Sequence, residues 1–371
     1  MDIFPARMDF PATTLTGKGT VSQLIPGCAR FGNRGVVVHG GAVHRSGTMD
    51  RILSGTTPDT AVVPFQFQGG EPCLHHVEEL LGVIRQADAQ WVAGIGGGSV
   101  LDLAKAGAAL AGAGASAREY HDGLEVETRG LPFAAVPTTA GTGSEATRVS
   151  VLTNAESGVK KSFRSEFMMA RLVVLDPGLL AGSPAEVIAN AGMDALTQGI
   201  ESYISSGASR FSEVLALQGV ELVLDNLVAA YESHGERGAE PLLQGSYLTG
   251  IAFSLSRLGV VHGLAHPLGA RYRVPHGQVC ALCLPHAIRF NRGAMGTKYA
   301  VLSRVAGGDL LERVKTLLHH FKIRNVFADS RPPERSSLIR EVLASGSTAH
   351  NPRTVTSADV NTLLAEVFGP Q

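Results

Sequence analysis

Three histidines, His262, His266 and His276, fall within fifteen residues in the stretch Val261-His262-Gly263-Leu264-Ala265-His266-Pro267-Leu268-Gly269-Ala270-Arg271-Tyr272-Arg273-Val274-Pro275-His276-Gly277. Imidazole binds mid-row divalent metals and moves protons near neutral pH. His262 and His266 are one helical turn apart and share a helix face. A third histidine beyond a loop can close on the same point. Upstream, Gly192-Met193-Asp194-Ala195-Leu196-Thr197-Gln198 offers Asp194 as a carboxylate partner. This combination points to a metal-assisted enzyme rather than a binding module.

A second chemistry lies in two polar loops. Ile95-Gly96-Gly97-Gly98-Ser99-Val100-Leu101-Asp102 follows an apolar strand pattern and opens a helical one. Residues without side chains let backbone N–H groups approach a pyrophosphate, and the helix N-terminus adds a favourable dipole. The run matches neither the G-x-G-x-x-G fingerprint nor a P-loop. Pro137-Thr138-Thr139-Ala140-Gly141-Thr142-Gly143-Ser144-Glu145 also follows a strand. Hydroxyls and glycines at the carboxyl end of a strand suit a cofactor. Two such loops favour a dinucleotide over a mononucleotide.

These residues need elements to position them. Residues 35–39, 91–95, 133–137 and 172–176 read as short buried strands alternating with helical patterns, which indicates a mostly parallel sheet. From about residue 183 helical periodicity dominates, over 185–191, 194–205, 210–231, 240–255, 278–290 and 310–321. Ser183-Pro184-Ala185-Glu186 reads as a helix start, with Ser183 as N-cap and Glu186 completing a capping box. The expected division is an α/β dinucleotide-binding domain over 1–182 and an all-helical metal and substrate domain over 183–371.

Bulk properties narrow the class. The 371 residues are 44% hydrophobic and 18% charged, which allows a large core. A formal net charge of −1 argues against a nucleic-acid partner. No apolar run reads as bilayer-spanning, and Met1-Asp2-Ile3-Phe4-Pro5-Ala6-Arg7 lacks signal-peptide character, so the expectation is a cytoplasmic protein without a membrane partner. The cysteines Cys28, Cys73, Cys280 and Cys283 are too sparse for a disulfide framework. Cys280-Ala281-Leu282-Cys283 lies in an apolar run with no second C-x-x-C, which assigns it to helix packing rather than to redox or metal work.

Taken in order, Gly96-Gly97-Gly98-Ser99, Pro137–Glu145, Gly192–Thr197 and His262-Gly263-Leu264-Ala265-His266-Pro267-Leu268-Gly269 resemble the iron-containing (group III) alcohol dehydrogenases, from about residue 8 through Asn351-Pro352-Arg353. The resemblance implies the dehydroquinate synthase-like architecture, a Rossmann-like α/β half and an all-α half, with NAD(P) and metal in a cleft. It also implies an oxidoreductase that reversibly transfers hydride between a nicotinamide and a small alcohol or aldehyde, often as a homodimer. Carried over by motif, the metal ligands fall on Asp194, Gln198, His262 and His276. His266 falls beside the nicotinamide, as the catalytic proton relay. Gly40, Gly41, Gly96, Gly97, Gly98, Ser99, Asp102, Thr138, Thr139, Thr142 and Lys160 fall on the cofactor. Gln198 departs from the family, which has histidine there. A carboxamide oxygen is a weaker donor for Fe²⁺ or Zn²⁺ than imidazole. The expectation is a weakened divalent metal site, with two alternatives: a metal-independent reductase of the maleylacetate reductase kind, or a catalytically impaired cofactor-binding protein.

Cofactor and substrate follow from charge. After the strand at 35–39 the chain reads Gly40-Gly41-Ala42-Val43-His44-Arg45, with Gly40 where NAD-preferring members place an aspartate. Without that carboxylate a 2′-phosphate is tolerated, and Arg45 or His39 can supply positive charge, so NADP(H) is expected over NAD(H). Arg271 and Arg273 lie between His266 and His276, and arginine pairs with anionic oxygens. They suggest an aldehyde with an anionic group, of the semialdehyde or phosphonoacetaldehyde type.

Overall fold

A computed structural model describes residues 2–328, 330 and 334–369. Asp9–Ala181 form one compact unit, and the chain from Gly182 onward forms a second, joined by the N-terminal residues up to Met8.

The first unit holds strands β1 (Thr14–Thr16), β2 (Arg34–Gly40), β3 (Ala61–Phe67), β4 (Trp91–Gly96), β5 (Phe133–Pro137), β6 (Val149–Asn154), β7 (Val159–Arg164) and β8 (Leu172–Leu175). Its helices are α1 (Leu24–Cys28), α2 (Gly41–Arg45), α3 (Thr48–Leu53), α4 (Leu74–Gln86), α5 (Gly98–Leu110) and α6 (Ala117–Asp122). Six strands form one parallel sheet in the order β1-β8-β5-β4-β2-β3. β4, β5 and β8 are buried along their whole length, as continuous apolar runs covered on both faces must be. The four strands read from sequence are the inner ones. β1 and β3 at the edges escape that reading, because β3 alternates only weakly and carries Pro64. The antiparallel pair β6–β7 was also not anticipated.

Parallel order places the carboxyl ends of β2, β4 and β5 along one edge of the sheet. After β3 the chain crosses to the other side of β2 to make β4, so the order reverses between β2 and β4. A reversal point of this kind is where open α/β sheets take ligands. The Gly40-Gly41 turn and the Gly96-Gly97-Gly98 loop leave from those two strands.

The second unit is helical among its described residues: α7 (Ala185–Ile204), α8 (Arg210–Glu232), α9 (Ala239–Ser256), α10 (Val260–Tyr272), α11 (His276–Met295), α12 (Thr297–Val305), α13 (Leu310–His320), α14 (Arg335–Ala344) and α15 (Ser357–Phe368). Two segments read separately, 185–191 and 194–205, are one continuous helix. Its start differs from the expected capping box: Pro184 is the N-cap, in an extended conformation with ψ 135, and no side chain caps the first turn. Ser183 therefore stands outside the helix. By length and composition alone, α8 is long and apolar enough to cross a bilayer. Here it packs against α7 and α9, and Gly219 brings its backbone close to Thr249 and Gly245.

Candidate active site

The helical unit gathers the metal-type donors from three helices. Asp194 sits on α7, His262 on α10, and His276 is the first residue of α11. The glycine after each histidine permits the close packing that brings these helices in. A Cβ on Gly263 would lie 2.0 Å from Thr348 Oγ1, and one on Gly277 would lie 2.1 Å from the Asn190 carbonyl oxygen. His262 Nε2 is 3.3 Å and His276 Nε2 3.8 Å from Asp194 Oδ1. Asp194 Oδ1 thus faces two imidazole nitrogens, yet it has no well-formed hydrogen bond among the described residues. The buried Gln198 Oε1 also lacks one.

Cys280, expected to serve helix packing, also lies among these donors. It follows His276 by one turn of α11, fully buried, with Sγ 3.6 Å from His276 Nε2 and 3.9 Å from His262 Nε2. Donor atoms of Asp194, His262, His276 and Cys280 all lie within 4.8 Å of one another. Cys283 is buried too but outside this group. His266 is also outside it. Its ring stacks on that of His276, centroids 5.0 Å apart at 22°.

Glu201, one further turn along α7, went unnoticed in the sequence. Its Oε2 is 2.7 Å from His262 Nδ1, and it accepts the N–H groups of Gly259 (3.0 Å) and Val261 (2.7 Å) at the start of α10. A carboxylate on Nδ1 makes that nitrogen the donor and turns Nε2 toward the cluster, where a bound cation would displace its proton. The spacing of Asp194, Gln198 and Glu201 on one buried face was the signal that could have found it.

The charges favour a cation at the centre. Burial pushes the His262 imidazole down, but Cys280, Asp194 and Glu201 override it and hold the ring well above its ordinary value. Burial pushes Asp194 up, and His276 and His262 outweigh it, so the carboxyl stays below the usual range. Burial pushes the Cys280 thiol up to about 12. An orphaned Asp194 oxygen and two imidazole nitrogens within 4.8 Å of one another fit a divalent metal.

In the α/β unit, Gly97 caps α5 with no side-chain hydrogen bond. A Cβ on Gly98 would lie 2.7 Å from Thr142 Cγ2, and one on Gly97 would lie 3.4 Å from Thr139 Oγ1. The two polar loops are thus adjacent, with Thr138 N–H donating to the Gly96 carbonyl at 3.0 Å. Ser99 lies in the first turn of α5. Asp102 is occupied by the protein itself. Its Oδ1 accepts from Ser144 Oγ (2.6 Å) and its Oδ2 from Val151 N–H (3.0 Å), which favours positioning the loop over touching the cofactor. Lys105, fully buried, donates to the Ser144 and Val149 carbonyls (both 2.7 Å) and also reaches Ser144 Oγ and Thr147 Oγ1. Lys160 lies on β7, with its ammonium 2.7 Å from Glu71.

The arginines separate. Arg271 forms a two-pronged pair with Glu341 of α14 and donates to Ser337 Oγ. A guanidinium already held by a carboxylate weighs against its expected substrate role. Arg273 caps α10 in the left-handed region, φ 55, and is exposed.

Two family models match nearly the whole chain: iron-containing alcohol dehydrogenase over residues 11–177, and the C-terminal part of the same family over 188–368. The chain belongs to the iron-containing alcohol dehydrogenase family. Long-chain-alcohol dehydrogenase 1 of Geobacillus thermodenitrificans is 33% identical over 82% of this chain and 78% of its own length. Lactaldehyde reductase of Escherichia coli is 32% identical over 81% and 80%. The sulfoacetaldehyde reductase of Bifidobacterium kashiwanohense, solved with NAD⁺, superposes with a TM-score of 0.90 at 27% identity, over 98% of this chain and 99% of that one. As a member of this iron-containing alcohol dehydrogenase family, the protein is an oxidoreductase acting on CH–OH groups.

Proposed function

We propose that this enzyme interconverts small aldehydes and alcohols using a nicotinamide dinucleotide, NADP(H) in preference to NAD(H), and a divalent cation held by Asp194, His262 and His276. The orphaned Asp194 Oδ1, facing two imidazole nitrogens, carries the metal reading. A cation bound there supplies Lewis-acid polarisation of a carbonyl oxygen. The nicotinamide supplies the hydride.

The chain's own residues supply position and protons. Glu201 fixes the His262 tautomer. The Gly97 and Gly98 backbone and the Thr138, Thr139 and Thr142 loop bind the dinucleotide phosphates at the start of α5. His266, stacked on His276, hands a proton to the product oxygen in the reducing direction.

The NADP(H) preference is supported at the end of β2. Gly40 offers no carboxylate to repel a 2′-phosphate, and a Cβ on Gly41 would lie 2.9 Å from Arg45 Nη1, so a guanidinium stands over the turn. His39 is buried, with its Nδ1 3.2 Å from the Gly40 carbonyl oxygen, and Arg45 is left to supply the charge. The lactaldehyde and sulfoacetaldehyde reductases support small aldehydes as the substrate class. Arg273 is the remaining candidate for an anionic substituent.

The test compares kcat/KM for succinic semialdehyde, phosphonoacetaldehyde and butanal with NADPH and NADH, before and after metal removal with EDTA. No oxidation of either cofactor on the panel overturns the reading. A higher kcat/KM with NADH overturns the NADP(H) preference. A clear win for butanal removes the anionic group, and full activity after metal removal removes the metal.

A further inference from the structure

We propose that Cys280 Sγ is the fourth protein ligand of the metal, taking the place that the family's pattern gives to histidine at position 198. The inference rests on the metal reading above. It rests separately on the geometry of one sulfur atom.

Ligand atoms about 2.0–2.3 Å from a tetrahedral metal lie roughly 3.3–3.6 Å from one another. The separations here are 3.3 Å for His262 with Asp194, 3.8 Å for His276 with Asp194, 3.6 Å for Cys280 with His276 and 3.9 Å for Cys280 with His262. Two of these separations fall in that range and two lie 0.2–0.3 Å beyond it, so Cys280 stands close to ligand spacing with the other three donors. Its backbone is fixed by α11, one turn after His276, so the two side chains share a face. The side chain is 0% exposed, and its sulfur lies within 4.8 Å of a donor atom of each of the other three residues.

The donor set becomes one carboxylate oxygen, two imidazole nitrogens and one thiolate. Gln198 brings a neutral, hard oxygen, whereas Cys280 brings a soft anion. That exchange moves the site's preference from iron toward zinc and other thiophilic ions. Ligation breaks the S–H bond and forms a metal–sulfur bond. The thiol proton leaves to solvent, and no electron is transferred.

Cobalt(II) reports this directly. The full-length protein is stripped of metal with chelator, dialysed and titrated with Co²⁺ while its absorption spectrum is followed. A cobalt–thiolate bond produces an intense near-ultraviolet charge-transfer band that oxygen and nitrogen ligands do not. Wild type and Gln198→Ala are expected to show the band. Cys280→Ser should lose it and bind Co²⁺ at least about tenfold more weakly, the loss typical when the surroundings of a metal are altered. Cys283→Ser should keep it. Tight Co²⁺ binding by wild type without the band overturns the Cys280 assignment and leaves the metal reading standing. No Co²⁺ binding by wild type overturns both. The wild-type spectrum decides even if a variant does not fold.

Discussion

Glu201 Oε2 lies 2.7 Å from His262 Nδ1, and the same carboxylate accepts two backbone N–H groups at the start of α10. One buried anion on α7 therefore sets both the helix that carries His262 and the direction in which its ring offers a lone pair.

Glu201→Gln should weaken divalent metal binding by about 10–100-fold, the range found when a carboxylate behind a metal-bound histidine is removed. Competition against a chromophoric chelator measures it. An affinity equal to wild type would show that Glu201 only holds the helix.

Gly97 and Gly98 separate cofactor from fold. A Cβ on Gly98 would press on Thr142 within the protein, but one on Gly97 meets nothing closer than 3.4 Å. Gly97→Ala should therefore keep the wild-type melting temperature and weaken NADPH binding by about tenfold or more, through loss of close backbone approach to the pyrophosphate. Fluorescence titration reads the affinity. Unchanged binding would place the phosphates elsewhere.

Gly40 has φ −84 and ψ 163, open to any residue, and a Cβ there would meet only Val100 at an ordinary 3.6 Å. Gly40→Asp should fold normally and shift the NADPH/NADH ratio of kcat/KM toward NADH by about tenfold or more, since like charges placed together cost several kcal/mol. A ratio that does not move would mean the adenine ribose is not bound at this turn.

Lys105 ties Ser144, Thr147 and Val149 together from inside the protein. Lys105→Met leaves those acceptors and the Asp102 carboxylate without their cation, at a cost of about 3–5 kcal/mol. Thermal unfolding should show a large drop in melting temperature. A small one would mean the network tolerates a neutral, apolar stem.

Glu145 gives a pH signature. Burial raises its carboxyl from 4.5 to about 7, against the opposing pull of a backbone N–H and Lys105. The folded state then holds a proton that the unfolded state has lost. This contribution to stability is complete below pH 4.5 and disappears as pH rises through about 7, with a span on the order of 3 kcal/mol. Glu145→Gln should flatten the stability profile in that window. Parallel profiles for variant and wild type would assign the slope to other groups.

Much of this was legible in the chain. Buried strands such as Trp91–Gly96 announce themselves as apolar runs, and Gly96-Gly97-Gly98 follows one and opens a helix. Asp194 and the three histidines stood out by type and spacing, and the family resemblance picked His262 and His276 from among them. Local periodicity states which residues share a helix face, and four-residue spacing held for Asp194 with Gln198 and for His262 with His266. It does not state which faces of different helices meet. That depends on packing: Gly263 against Thr348, Gly277 against the α7 backbone, and Glu201 beneath the start of α10. Packing brought Cys280 into the donor cluster and left His266 outside it. It also closed Arg271 onto Glu341, seventy residues away. The residue types and their local spacing were enough to name the chemistry. Which atoms converge to perform it was decided by long-range burial, where a donor's partners come from segments far apart in the chain.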